Sequence, residues 1–178
     1  MSSLRIALSV LRAGGVIAHH SDTVLGIACL PRAAHLTRMA RIKMRTPSKP
    51  FLLLADSLTQ LNGFVAEDFE LQSLLTSNTK PTTYLVPASK HCPQILIGPS
   101  QHIAVRISQH PNVTSISNTL GAFASSSANL SGQKTVCHVA ELRKQFGPEL
   151  DYIYDSGKLG SGQSSRIIDL KTQEILRA

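Results

Sequence analysis

Five apolar residues run unbroken from Phe51 to Ala55. With no polar position in the run, neither face of the segment can be turned to water, and at this length it is a strand rather than a buried helix. A strand covered on both faces needs a layer of structure above and below its sheet, which is the arrangement of α/β folds.

The remainder of the chain supplies those layers. Leu4, Ala7, Leu8 and Leu11 recur at helical spacing until Gly14-Gly15, and Val16–Ala18 then reads as a short buried strand, followed by the apolar stretch Leu25–Leu30. Leu36, Met39, Ala40 and Ile42 mark a helix over 33–44, and the spacing predicts two more over 58–64 and 68–75. Strands follow at Tyr84–Val86 and Ile103–Ile107, a helix over 113–120, a strand at Ala122–Ala124, and a helix over 139–146 stopped by Gly147-Pro148. Ile167, Ile168 and Leu170, separated from Ile175 and Leu176 by polar residues, predict a closing hairpin. The expectation is one α/β domain over 1–178, built on an open, mixed, twisted sheet flanked by helices.

Two polar segments interrupt this pattern. Ile42–Pro50 reads IKMRTPSKP, so Lys43, Arg45 and Lys49 leave a helix and enter a proline-punctuated loop suited to phosphates. Ala124–Gly132 reads ASSSANLSG, where small hydroxyls and one amide allow a ligand to approach the backbone. Cations in one loop and neutral donors in another suit nucleotidyl transfer, which proceeds mainly by positioning and charge neutralisation. The polar connection TSNTKPTT, 76–83, is a candidate substrate loop, and Arg106, inside an otherwise apolar strand, needs an anionic partner. A formal charge of +7 favours polyanionic partners, nucleotide or RNA, although the absence of Trp leaves few platforms for stacking bases. Cys29, Cys92 and Cys137 are odd in number and far apart, which predicts buried thiols rather than disulfides or a metal cage. No stretch is apolar for long enough to span a bilayer, so the expected setting is the cytoplasm.

Together these segments resemble the YrdC/TsaC family. Its signature pairs K-x-R, usually followed by P-x-x-K-P, with a distant S-x-N in a TSANLSG-like string. Here these are Lys43 and Arg45 with Lys49-Pro50, and Ser127 with Asn129. The likeness runs from GGVIAHHSDTVLG through IAVRIS to SSRIIDLKTQEILR. It implies a YrdC-like fold with a concave basic face and the activity of a threonylcarbamoyl-AMP synthase, joining L-threonine, bicarbonate or CO2, and ATP and releasing pyrophosphate. Mg²⁺ is implied with the ATP, and the product would pass to separate threonylcarbamoyl-transferase proteins that modify tRNA. By motif position, Lys43, Arg45, Lys49, Asn129 and His102 fall on the ATP side, with Lys43 and Arg45 as catalytic cations. Thr23, Arg106, Ser127 and Ser165 fall on the threonine side, with Arg106 pairing the amino-acid carboxylate.

The chain departs from the family pattern at His19-His20-Ser21-Asp22-Thr23, where Tyr-Pro-Thr-Glu-Thr is usual, at Thr79–Thr83, where P-G-P-x-T is usual, and at Pro47, one residue late. His19 or His20 could serve as a general base, or one could pack under the sheet while the other meets solvent. Ser21 and Thr23 could cap a turn, Ser165 the hairpin, and Ser125–Ser127 could be plain loop. Two other functions compete: a catalytically altered paralogue that binds RNA, and a carbamoyl-adenylating relative, against which the chain length argues.

Overall fold

The computed structural model describes residues 3–46, 49–70, 80–98, 101–136, 138–155 and 160–178. Among these described residues nine strands form one sheet: β1 Ile17–His19, β2 Gly26–Cys29, β3 Leu52–Ala55, β4 Thr82–Pro87, β5 His102–Ile107, β6 Phe123–Ser127, β7 Tyr152–Tyr154, β8 Arg166–Asp169 and β9 Ile175–Arg177. Their order is β7-β1-β2-β6-β3-β5-β4-β8-β9. Parallel pairs (β1 with β7, β3 with β5, β4 with β8) are interspersed among antiparallel ones, so the sheet is mixed and open, as expected.

The Phe51–Ala55 run lies at the sheet centre, between β6 and β5. Its side chains alternate between two cores. Leu54 packs with Ala7 and Leu11 of helix α1 (Ser3–Arg12) and with Val113 and Ile116 of α3 (Pro111–Leu120). Leu53 and Ala55 face the opposite core, which holds Leu36, Met39 and Ile42 of α2 (Ala33–Ile42) and Leu142 and Phe146 of α4 (Val139–Phe146). Double coverage is therefore the physical reason that no polar residue appears in the run.

Three sequence expectations shift. The helix expected over 58–64 is one 3₁₀ turn, Leu58–Leu61, because Gly63 at φ 85° redirects the chain toward a bridge between Val65 and Ala88. Strand β6 continues through Ser127 instead of breaking after Ala124. Gly26–Cys29 and Leu52–Leu54 on its two sides take up its backbone hydrogen bonds whatever its side chains are. Edge strand β7, hydrogen-bonded along β1, adds an element the apolar pattern did not announce. The expected helix over 68–75 lies outside the described residues beyond Glu70, as do residues 76–79 of the 76–83 connection and Cys137. Cys29 and Cys92 are buried free thiols, pushed up to about 12 and about 11 by burial. No helix among the described residues is long and apolar enough to cross a membrane.

Leu53→Ala should cost about 2–5 kcal/mol in denaturant unfolding, since it opens a cavity in the larger core. Ile175→Ser, at a half-exposed position of β9, should change stability by less than about 0.5 kcal/mol.

Candidate functional site

Helices α1 and α3 cover only part of their face of the sheet. Along β2, β3, β5 and β6 the same alternation that buries Ala28, Leu54 and Phe123 places Gly26, Leu52, Ala104, Arg106, Ser125 and Ser127 on that face. These residues line a cavity of about 400 Å³. Arg45, Lys49 and Pro50 close one side, Ser21, Thr23 and Val24 another, and Thr83, Ser164, Ser165, Ile167 and Arg177 a third. Among the described residues the lining carries four basic side chains and no carboxylate.

Six of the sequence-predicted residues meet there: Thr23, Arg45, Lys49, Arg106, Ser127 and Ser165. Arg45 is not the solvent-facing loop cation its position suggests. Its Nε donates to the Lys49 carbonyl (2.6 Å), Nη2 to the Pro50 carbonyl (2.7 Å) and Nη1 to Ser126 Oγ (3.0 Å), with the guanidinium 4.9 Å from the Phe51 ring centroid. Among the described residues this leaves one N–H on each terminal nitrogen for a ligand. Lys49 is exposed, and Arg45 and Lys49 also line a second cavity of about 420 Å³ walled by Phe51, Ile95 and Ile97.

Arg106 is only 4% exposed, so its charge needs a partner. Asp22 Oδ1 lies 3.2 Å from Nη2, while Nε has no hydrogen-bond partner among the described residues. Burial lowers the Arg106 pKa and Asp22 opposes the shift. A buried, incompletely satisfied guanidinium at a cavity wall is a ready anion site. Thr23 Oγ1 lies 3.1 Å from Ser21 Oγ, and Ser21 Oγ donates to the Val24 carbonyl, so the turn-capping role and a place in the lining coexist. Ser165 Oγ lies 2.8 Å from Thr83 Oγ1 and receives Arg177 Nη2 at 3.2 Å; Arg177 Nε also donates to the Ser165 carbonyl.

The other three stand elsewhere. Lys43 does not line the cavity; it is 1% exposed, and its Nζ donates to the carbonyls of Ser127 and Asn129. Burial, with the Arg45 guanidinium adding to it, pulls its ammonium down to about 7. The side chain ties α2 to the end of β6. Asn129 is similarly committed: its amide donates to the Leu130 and Gln133 carbonyls, and Oδ1 accepts from Ser127 Oγ at 2.5 Å. His102 shares the β5 face of Ala104 and Arg106 but lies beyond the lining, and neither ring nitrogen has a hydrogen-bond partner among the described residues.

Both histidines of the departing segment are buried, so neither meets solvent. His20 Nε2 lies 3.3 Å from Asp155 Oδ1. His19 Nδ1 is 3.0 Å from the His20 carbonyl and Nε2 is 2.9 Å from Ser125 Oγ. Burial chiefly, with Arg106, His110 and His20 contributing, lowers its pKa to about 4. Enclosure and that low basicity leave it ill-suited to deprotonate an ammonium directly.

Sequence reasoning reached Ser126 and Thr83 only as members of the 124–132 and 76–83 segments, and missed Asp22 and Arg177. The signal for Asp22 was the buried Arg106, which demanded an anion nearby; Arg177 gave none, since a cation beside two exposed apolar residues reads as a hairpin edge. Gly160 was also missed. A Cβ there would collide with the carbonyls of Ser21 and Thr23, because Ser161 N and Gly162 N donate to the Asp22 and Thr23 carbonyls and strap this segment across the 21–23 turn. Among the described residues no cluster of three His, Cys, Asp or Glu side chains could hold a metal ion.

The Sua5/YciO/YrdC family model, described as "Telomere recombination", matches residues 9–178. A threonylcarbamoyl-AMP synthase of Thiobacillus denitrificans is 38% identical, covering 94% of this chain and 91% of that protein. Another, from Pseudoalteromonas translucida, is 33% identical over 99% of this chain and 97% of its own length. Among solved structures, an H234A/Y235A variant of P. abyssi Sua5 superposes with a TM-score of 0.85 at 25% identity, over 96% of this chain. The chain spans about half of that Sua5, 54%.

Two outcomes test this geometry. Unfolded His19 takes up a proton near pH 6.5 and folded His19 only near 4, so between those values the unfolded state binds more protons. Stability should fall by on the order of 3 kcal/mol as the pH drops through that window, and His19→Gln should flatten the fall in denaturant titrations at each pH. Gly160→Ala should lower the melting temperature by several degrees, about 1–3 kcal/mol, by forcing the strap off the 21–23 turn.

Proposed function

Since the chain belongs to the Sua5/YciO/YrdC family, we propose that it is a threonylcarbamoyl-AMP synthase, which converts L-threonine, bicarbonate or CO2, and ATP to threonylcarbamoyl-AMP and pyrophosphate. The observation that carries the reading is a single basic cavity that brings together Arg45 and Lys49 from one motif, Ser127 from the other, and buried Arg106 between them.

The threonine amine first bonds to CO2 as a carbamate, losing a proton. A carbamate oxygen then attacks the α-phosphorus of ATP, and pyrophosphate leaves in line. No covalent enzyme intermediate is needed, so the protein acts by holding the reactants and stabilising charge. Arg106, with its unpartnered Nε, takes the amino-acid carboxylate, and the hydroxyls of Thr23, Ser127 and Ser165 surround the rest of the amino acid. The remaining N–H groups of Arg45 and the Lys49 ammonium take phosphate oxygens. Arg177 adds a fourth cation, while Lys43 and Asn129 hold the two loops in place. Mg²⁺ enters with ATP as part of the substrate: it keeps waters and phosphate oxygens as ligands, which suits a lining of cations and hydroxyls. The product passes to separate transferase proteins that act on tRNA, in the cytoplasm. An RNA-binding paralogue without catalysis is not favoured, because relatives named for the synthase match nearly the whole chain.

Pyrophosphate release from purified protein should require L-threonine together with ATP and bicarbonate. Lys49→Ala is the sharper test of the phosphate role, since Lys49 is exposed whereas Arg45 also braces its own loop. It should raise the KM for ATP about 10-fold with little change in the KM for threonine. Equal effects on both constants would remove Lys49 from the phosphate side.

A further inference from the structure

Four cations supply hydrogen-bond donors to the cavity, while some lining hydroxyls spend their single proton inside the protein: Ser21 Oγ on the Val24 carbonyl, Ser127 Oγ on Asn129 Oδ1, and Ser125 Oγ on His19. His19 Nδ1 lies 3.0 Å from the His20 carbonyl oxygen, which can only accept, so Nδ1 carries the ring proton. Its Nε2 is therefore bare and can only accept. The partner of Nε2, at 2.9 Å, is Ser125 Oγ, so the serine must donate its single proton to the ring. Ser125 lines the cavity, and with that proton turned inward it presents only oxygen lone pairs to a ligand.

The surroundings hold this arrangement. The imidazole is 0% exposed and meets the edge of Phe123, with ring centroids 5.4 Å apart at 76°. The charged or titratable groups acting on it, Arg106, His110 and His20, bring no negative charge that would favour a second ring proton. Gly26 leaves the space beside the pair open: a Cβ there would stand 3.0 Å from Ser125 Oγ and 3.1 Å from His19 Nε2.

We propose that His19 is a positioning residue that fixes Ser125 Oγ as an obligate hydrogen-bond acceptor, which reads an N–H or O–H group of the amino-acid substrate. The inference rests on the proposed reading of the cavity as an amino-acid site. A donor-rich wall binds carboxylate and phosphate without distinguishing what else the ligand carries. An acceptor with no proton to offer rewards a ligand donor and penalises a ligand that leaves it unpaired.

The test measures calorimetric dissociation constants of the whole chain for L-threonine and, separately, for a non-hydrolysable ATP analogue. His19→Phe, which frees the serine proton to rotate into the cavity, should weaken L-threonine about 10-fold and leave the ATP analogue within about twofold. His19→Gln, which can keep an acceptor oxygen on the serine, should restore most of the loss. Gly26→Ala, whose Cβ would crowd both Ser125 Oγ and His19 Nε2, should weaken threonine by displacing the pair. L-2-aminobutyrate, which lacks the hydroxyl, tells the two donors apart. An undiminished effect of His19→Phe on it assigns the acceptor to the amine, and a vanished effect to the hydroxyl. Equal loss of both ligands in His19→Phe, or none, overturns the proposal. A ¹⁵N spectrum of the wild-type protein checks it without any variant, and a protonated Nε2 at neutral pH would also overturn it. Wild-type protein that binds L-threonine but releases no pyrophosphate would sink the synthase reaction while leaving His19 and Ser125 fully testable. Failure to bind L-threonine at all would sink both.

Discussion

The Lys43 ammonium joins the two segments on which the site depends. It is buried where α2 ends, and it donates to the carbonyls of Ser127 and Asn129 at the end of β6 while the Lys43 carbonyl accepts from Ser131 N. Two loops more than eighty residues apart are thereby held side by side. Carbonyls at the end of a strand have no ladder partner and must find donors elsewhere, and an ammonium with three N–H groups supplies them. Burial makes that charge costly, as its lowered pKa records, so the ammonium persists only because its protons are used. The motif lysine contributes to the site by fixing where Arg45 and Ser127 stand.

The sheet supplies the other half of the design. Its centre is covered on both faces, but α1 and α3 stop short over β2, β6, β3 and β5, and small or hydroxylated residues occupy the uncovered positions. A bulky side chain at Gly26 would fill the space beside the His19–Ser125 pair, and one at Gly160 would lift the strap from the 21–23 turn. Substrate room is thus obtained from missing side chains on a rigid surface. Among the described residues four cations converge there without a lining carboxylate, and in the proposed reaction a ligand brings the negative charge.

The departures from the family pattern at 19–23 form one connected unit. Asp22 reaches Arg106, His20 reaches Asp155, and His19 reaches Ser125. Replacing a tyrosine and a proline by two histidines puts polar groups under the sheet, and each has found a hydrogen-bond or ion-pair partner.

Much of this architecture was legible from the residues. The unbroken Phe51–Ala55 run, the stripes of α1, α2, α3 and α4 and the closing hairpin lie as expected, because hydrophobic periodicity is a local signal set by which faces must be buried. Motif chemistry likewise identified the lining cations Arg45, Lys49 and Arg106 and the hydroxyls of Thr23, Ser127 and Ser165. Tertiary structure alone decided which donors stay available to a ligand. Lys43, Asn129 and Arg45 are equivalent in a motif, yet Lys43 spends two of its three protons and Asn129 both of its amide protons on backbone carbonyls, while Arg45 keeps one on each terminal nitrogen. Extension of β6 through Ser127, the place of Arg177 beside Ser165 and the proton on His19 Nδ1 were also invisible in sequence, since each depends on a partner distant in the chain or on an unpaired carbonyl. Sequence determines which groups a protein possesses and which faces they must bury, but a hydrogen bond is a statement about two positions in space, and only the folded chain brings them together.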